Sequence, residues 1–160
     1  MANLQVESSA IIDAPPQEVY ELISDYQAGH PRILPKKYFP EMTVESGGKG
    51  AGTVIRLKSK MGGQERAMRM EVSEPEPGRV IVEKDTASDM TTTFTITPHD
   101  GGEKSNVSIR TEWTPGGGVM GLMERLFSPG ILKRVYAEEL QQLAQVVAAG
   151  GKGGSSGGTF

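Results

Sequence analysis

The residues able to do acid–base or ligand chemistry at neutral pH are few. Only two histidines occur, His30 and His99, and there is no cysteine. The missing thiol excludes a cysteine nucleophile, a disulfide scaffold, thiolate zinc sites and iron–sulfur clusters. His30 lies in Ala28-Gly29-His30-Pro31-Arg32, between two helical segments. An imidazole there is placed to bind a ligand carbonyl or to move a proton; the alternative is a surface or capping histidine in a proline-rich turn. His99 precedes Asp100-Gly101-Gly102 and is expected in a solvent-exposed turn. Two distant histidines and scattered acids do not make a metal site, so none is expected, nor any cofactor. Gly47-Gly48-Lys49-Gly50-Ala51-Gly52-Thr53 resembles a phosphate loop only superficially, because it joins two strands and lacks the Gly-Lys-Ser/Thr ending that opens a helix. No Ser–His–Asp elbow, dinucleotide fingerprint or convergent acid–base cluster is visible.

Methionine is the more informative residue. Met68, Met70 and Met90 fall on strand faces, with Met61 at a strand end and Met120 and Met123 in a helical stretch. Flexible, polarizable thioethers suit an adaptable apolar pocket. Together with Phe94, Trp113, Leu126 and Phe127 they are candidates to line a ligand cavity, against the plainer reading of ordinary core packing. Arg66 shares its phase with Met68 and Met70. Pointing inward, it would need a carboxylate partner from protein or ligand; at a fraying strand end it would sit at the sheet rim in solvent. His30 and Arg66 are the two weak candidates for catalysis.

The elements that position these residues follow from hydrophobic period. Leu4 to Asp13 alternates as a strand with Val6, Ser8, Ala10 and Ile12 on one face, and Ala14-Pro15-Pro16 stops it. Pro16 suits the first turn of a helix carrying Val19, Leu22 and Ile23 on its apolar face. A second short helix or turn is expected over Tyr26 to Leu34, broken by Pro31 and Pro35. The period then becomes two. Strands are predicted around Met42–Val44, Thr53–Met61, Gln64–Ser73, Arg79–Thr86, Met90–Pro98 and Ser105–Thr114. Turns fall at Gly62-Gly63, at Glu74-Pro75-Glu76-Pro77-Gly78 and at His99–Gly102. From Val119 the period is that of a helix, through Leu122, Met123, Leu126, Phe127, Leu132, Val135, Tyr136, Leu140, Leu143 and Val147, with a break or kink near Ser128 from Pro129-Gly130.

Seven antiparallel strands must have one face covered, and the long C-terminal helix is the element large enough to cover it. A curved sheet wrapped on one helix leaves a gap, and an apolar gap is the default ligand site. The chain has 160 residues, which suits one α+β domain over 1–149 followed by a flexible Gly/Ser tail over 150–160. Acidic residues number 20 against 17 basic, well mixed, so nucleic acid is not an expected partner. No apolar run is long enough to cross a membrane and no signal peptide is evident; a cytoplasmic protein without stable membrane insertion is expected, with its oligomeric state open.

The element order carries two local motifs. One is Ile12-Asp13-Ala14-Pro15-Pro16-Gln17-Glu18-Val19-Tyr20 followed by Ile23-Ser24-Asp25; the other is Glu74-Pro75-Glu76-Pro77-Gly78-Arg79-Val80. Over about residues 4–147 the chain resembles the START-like helix-grip superfamily. More narrowly, it resembles the polyketide cyclase/dehydrase and lipid-transport group often called SRPBCC proteins. The resemblance implies a helix-grip fold, a seven-stranded curved sheet around a long C-terminal helix with two short helices after the first strand. It also implies that the segment bearing His30 is a cavity rim. Members of the superfamily include lipid carriers, plant hormone receptors, aromatase/cyclases and coenzyme Q-binding proteins, so the fold selects no single activity.

Three functions are therefore expected in order. The first is binding or transport of a hydrophobic small molecule (lipid, isoprenoid or polyketide-like) in the internal cavity. The second is an aromatase/cyclase-type enzyme using His30 or Arg66 for protons or enolate charge. The third is a protein-interaction module, which large exposed apolar patches would favour.

Overall fold

A computed structural model describes residues 4–61, 63–114 and 129–151 of the chain. Seven strands form one antiparallel sheet: β1 (Leu4–Ile12), β2 (Glu41–Ser46), β3 (Val54–Met61), β4 (Gln64–Glu76), β5 (Val80–Asp85), β6 (Thr91–His99) and β7 (Lys104–Trp113). Their order is β1-β7-β6-β5-β4-β3-β2, so consecutive strands pair as hairpins except that β1 returns to lie beside β7. Helices α1 (Pro16–Ser24) and α2 (His30–Ile33) follow β1, and α3 (Pro129–Val146) packs against β1 and α2.

Alternation decides which side chains meet the helices. In β3, β6 and β7 every second residue is buried: Ile55, Leu57 and Ser59; Thr92, Phe94 and Ile96; Val107, Ile109, Thr111 and Trp113. Threonines and charged residues fill the opposite, solvated face, as one-sided antiparallel sheets require. The helical stripe Leu132, Val135, Tyr136, Leu140 and Leu143 is buried against this concave surface. The expected stretch from Val119 to Ser128, with Met120, Met123, Leu126 and Phe127, lies outside the described residues, as does the tail beyond residue 151. α3 is described from Pro129 onward, and the expected break near Ser128 lies outside the described residues.

Two expectations need correction. The second helix is confined to His30–Ile33, with Pro31 in its first turn where the lost N–H costs nothing. The residues before it form a tight turn: the Asp25 carboxylate accepts the N–H groups of Gln27 and Ala28 at 3.1 Å each, and its carbonyl accepts those of Gly29 and His30. Glu74-Pro75-Glu76 is strand, not turn. β4 runs through it by a bulge, with Ser73 opposite Val82 and Glu76 opposite Val80. The bulge tolerates Pro75, which has no N–H to give the ladder.

That bulge has a structural use. One oxygen of Glu74 accepts the Tyr20 hydroxyl at 2.5 Å and the other accepts the Ala51 N–H at 2.8 Å. Helix α1 and the β2–β3 loop are thereby tied to one carboxylate. Burial first, then Glu74, pushes the Tyr20 phenol up to about 12. Gly50, at φ +60°, passes so close that a Cβ would lie 2.4 Å from Glu74 Oε2. Replacing Glu74 by Ala leaves the Tyr20 hydroxyl and the Ala51 N–H without this acceptor. Equilibrium urea unfolding should show a loss of about 2 kcal/mol, the scale of hydrogen bonds to a charged group.

Candidate functional site

Between the concave face and α3 lies a cavity with about 40 Å³ of free space. Its walls come from every layer of the fold: Leu34 and Phe39 after α2, Met42, Ile55, Leu57 and Met61 from β2 and β3, Met68 and Met70 from β4, Met90 beside Thr92 and Phe94 of β6, and Leu132 from α3. Five methionines thus converge on one space. Each stands where strand alternation or the edge of a strand points it inward, and each brings an unbranched, adjustable side chain.

The polar residues of the cavity are His30, Glu83, Thr92, Tyr136 and Glu139. His30 is only 2% exposed, which overturns the surface-turn alternative. Its ring stacks on Tyr26, with centroids 4.4 Å apart, and meets the edge of Phe94 at 5.5 Å. Its Nδ1 lies 2.8 Å from the Ile23 carbonyl oxygen, which only accepts; Nδ1 therefore carries the proton. Nε2 faces Glu83 Oε2 at 3.5 Å. The same oxygen accepts the Tyr26 hydroxyl at 2.6 Å. Burial, then the Glu83 charge, raises the Tyr26 phenol well above its ordinary range, so Tyr26 remains a donor. On the other side Thr92, Thr111 and Tyr136 form a chain of hydroxyls at 2.7 and 2.5 Å.

Glu139 completes the group. It is 2% exposed, and its Oε2 is buried without a hydrogen-bond partner. Desolvation, reinforced by the charge of Glu83, raises its carboxyl well above the ordinary glutamate range. The carboxyl therefore favours its protonated form, and Oε2 has no hydrogen-bond partner.

Sequence reasoning missed this cluster. Glu139 sits on the stripe between Tyr136 and Leu143, where a helical period reads straight through it. Glu83 is harder to see, because β5 begins Val80-Ile81-Val82 and either phase looks apolar. The structure buries Ile81, Glu83 and Asp85 and leaves Val80 and Val82 half-exposed. Asp85 serves its own turn, accepting the Ser88 hydroxyl at 2.7 Å. An acid–base cluster therefore does converge, contrary to the expectation from the sequence.

Of the candidates named there, Met68, Met70, Met90 and Phe94 stand in the cavity wall beside His30. Trp113 is buried at 3% exposure in β7 but does not line the cavity. Arg66, half-buried opposite Ser59, borders a separate groove with Arg56, Lys58, Arg69 and Asp85. It is not brought to His30. Met123, Leu126 and Phe127 lie outside the described residues. Among the described residues no three acidic or histidine side chains are arranged to hold a metal ion, and no helix is long and apolar enough to cross a membrane.

Residues 3–148 match the family model described as polyketide cyclase / dehydrase and lipid transport. Among solved structures, the KanY protein, determined by NMR in solution, is 34% identical, with 92% of this chain and 99% of that chain covered and a TM-score of 0.79. The Zhui aromatase/cyclase from Streptomyces sp. R1128 has a TM-score of 0.75 at 16% identity, covering 92% of this chain and 95% of that one. A START superfamily protein from Mycobacterium smegmatis gives 0.60 at 17% identity, covering 89% and 93%. The last two share the helix-grip fold. No curated protein matches the sequence significantly.

The neutral state of Glu139 has a consequence for stability. Its carboxyl holds a proton in the folded chain at pH values where the unfolded chain has released one. Stability is therefore fullest below the ordinary glutamate pKa and falls as pH rises towards the folded value. Glu139→Gln removes this dependence. Denaturant titrations at pH 4, 5.5 and 7 should show the variant gaining on the parent with rising pH, at up to about 1.4 kcal/mol per pH unit. A constant difference across that range would contradict a neutral Glu139.

Proposed function

The chain belongs to the polyketide cyclase/dehydrase and lipid-transport family, and on that footing we propose that it binds a small hydrophobic molecule in the cavity between the sheet and α3. One observation carries this conclusion. The space is walled by apolar and thioether side chains, with its few polar groups gathered at His30, Glu83 and Glu139. Burial of the ligand's apolar body supplies most of the affinity, and the polar end orients it. A free space of about 40 Å³ is too small for a lipid-sized body. Binding therefore goes with rotamer changes of the methionines, which unbranched side chains make at low cost.

A second reading has an observation of its own. A histidine facing one glutamate, with a second glutamate in the same cavity, is the set that proton transfer during polyketide cyclisation or dehydration requires. For an interaction module nothing comparable is found: among the described residues Ile11, at 47%, is the large apolar side chain exposed to solvent.

Fluorescence titration with the uncharged probe N-phenyl-1-naphthylamine tests the binding reading. Saturable binding is expected, and Met70→Trp, which fills the cavity, should weaken it by about tenfold or more while the chain stays folded by circular dichroism. Probe binding that ignores the filled cavity would place the ligand elsewhere. For the catalytic reading, His30→Asn and Glu139→Gln should each lower turnover of a poly-β-ketone by roughly 100-fold while probe binding persists.

A further inference from the structure

Resting on the ligand-binding reading, we propose that Glu139 selects the ligand's polar end, favouring an uncharged molecule with a hydrogen-bond-accepting oxygen over an anionic one. Three observations support this assignment. Glu139 is buried in the cavity wall with Oε2 unpartnered. A buried polar atom left unpaired costs on the order of 1–3 kcal/mol, so a ligand that pairs it gains accordingly. The other polar wall groups already have partners: His30 faces Glu83, which also accepts the Tyr26 hydroxyl, and Thr92 and Tyr136 each bond to Thr111. Finally, no lysine or arginine borders the cavity among the described residues.

The charge balance fixes the class. A carboxylate headgroup entering here would meet the charge of Glu83 with no lysine or arginine in the described wall to neutralise it, and like charges at low dielectric repel strongly. An ammonium headgroup would have to shed its hydration and strip the proton from Glu139 beside Glu83, which places two carboxylates in one dry space. A ketone, quinone or ester oxygen needs only the proton that Glu139 already carries. Anionic fatty acids are thus poor ligands, and a neutral carbonyl on an apolar body is the fitting one.

Four naphthalenes of matched size separate these cases: 2-acetylnaphthalene, 2-ethylnaphthalene, 2-naphthoate and 2-naphthylmethylammonium, titrated calorimetrically into the full chain at pH 7. The ketone should bind about tenfold more tightly than the ethyl compound, the ratio expected of one hydrogen bond, with the naphthoate weakest. Glu139→Leu should abolish the ketone's advantage over the ethyl compound. Glu139→Gln, which keeps an N–H donor, should retain most of that advantage. Naphthoate or the ammonium compound binding as tightly as the ketone overturns the proposal, as does an unchanged ketone-to-ethyl ratio in Glu139→Leu; in either case the ligand-binding reading survives. If none of the four binds, that broader reading fails and the selection rule falls with it.

Discussion

A sheet with one greasy face cannot stand alone in water, and this chain has seven strands of such a face to hide. The curvature that lets the sheet wrap α3 also prevents contact everywhere along the concave side. Helix contacts gather on the β1, β7 and β6 side, where Ile12, Val107 and Ile109 are fully buried, whereas the cavity methionines stand mainly on β2, β3 and β4. The cavity is therefore a product of the architecture before it is a feature of any particular residue. What individual residues decide is what that space will accept.

Those decisions cost stability. Glu83 and Glu139 occupy positions where leucine or methionine would bury without penalty. Glu83 is partly compensated by Tyr26, itself pinned through its backbone N–H to the Gly48 carbonyl at 2.8 Å. Glu139 has no such compensation for its Oε2. Departures of this kind from core-like packing cluster where a protein handles something other than itself.

The strands were legible in the sequence because their alternation is strict: Met90, Thr92, Phe94 and Ile96 against a row of threonines leaves one register open. The family and its fold were legible for the same reason, with the Ala14-Pro15-Pro16 stop adding a fixed point. Strand phase pointed to Met68, Met70 and Met90, with Met61 at a strand end, but not to Met42. The polar end could not be read this way. His30 looked like a turn residue because its burial depends, beyond nearby Tyr26, on Phe94 and Glu83, which come from distant parts of the chain. Glu83 was hidden by the three apolar residues that open β5. The extension of β4 through Pro75 was masked by proline and glycine, the same residues that mark true turns, since a bulge and a turn use one vocabulary.

The sheet is open, not closed, so β2 ends it with a row of unpaired backbone groups. That edge carries Glu41 and Glu45, balanced within the chain by Lys58, Arg56 and Arg69 on the neighbouring strands. A second copy approaching edge to edge would bring glutamate against glutamate and compete for cations already engaged. The ion pairs on the outer face contribute little to folding, being exposed. Their arrangement makes this edge, one of the two the sheet leaves open, a poor template for its own kind.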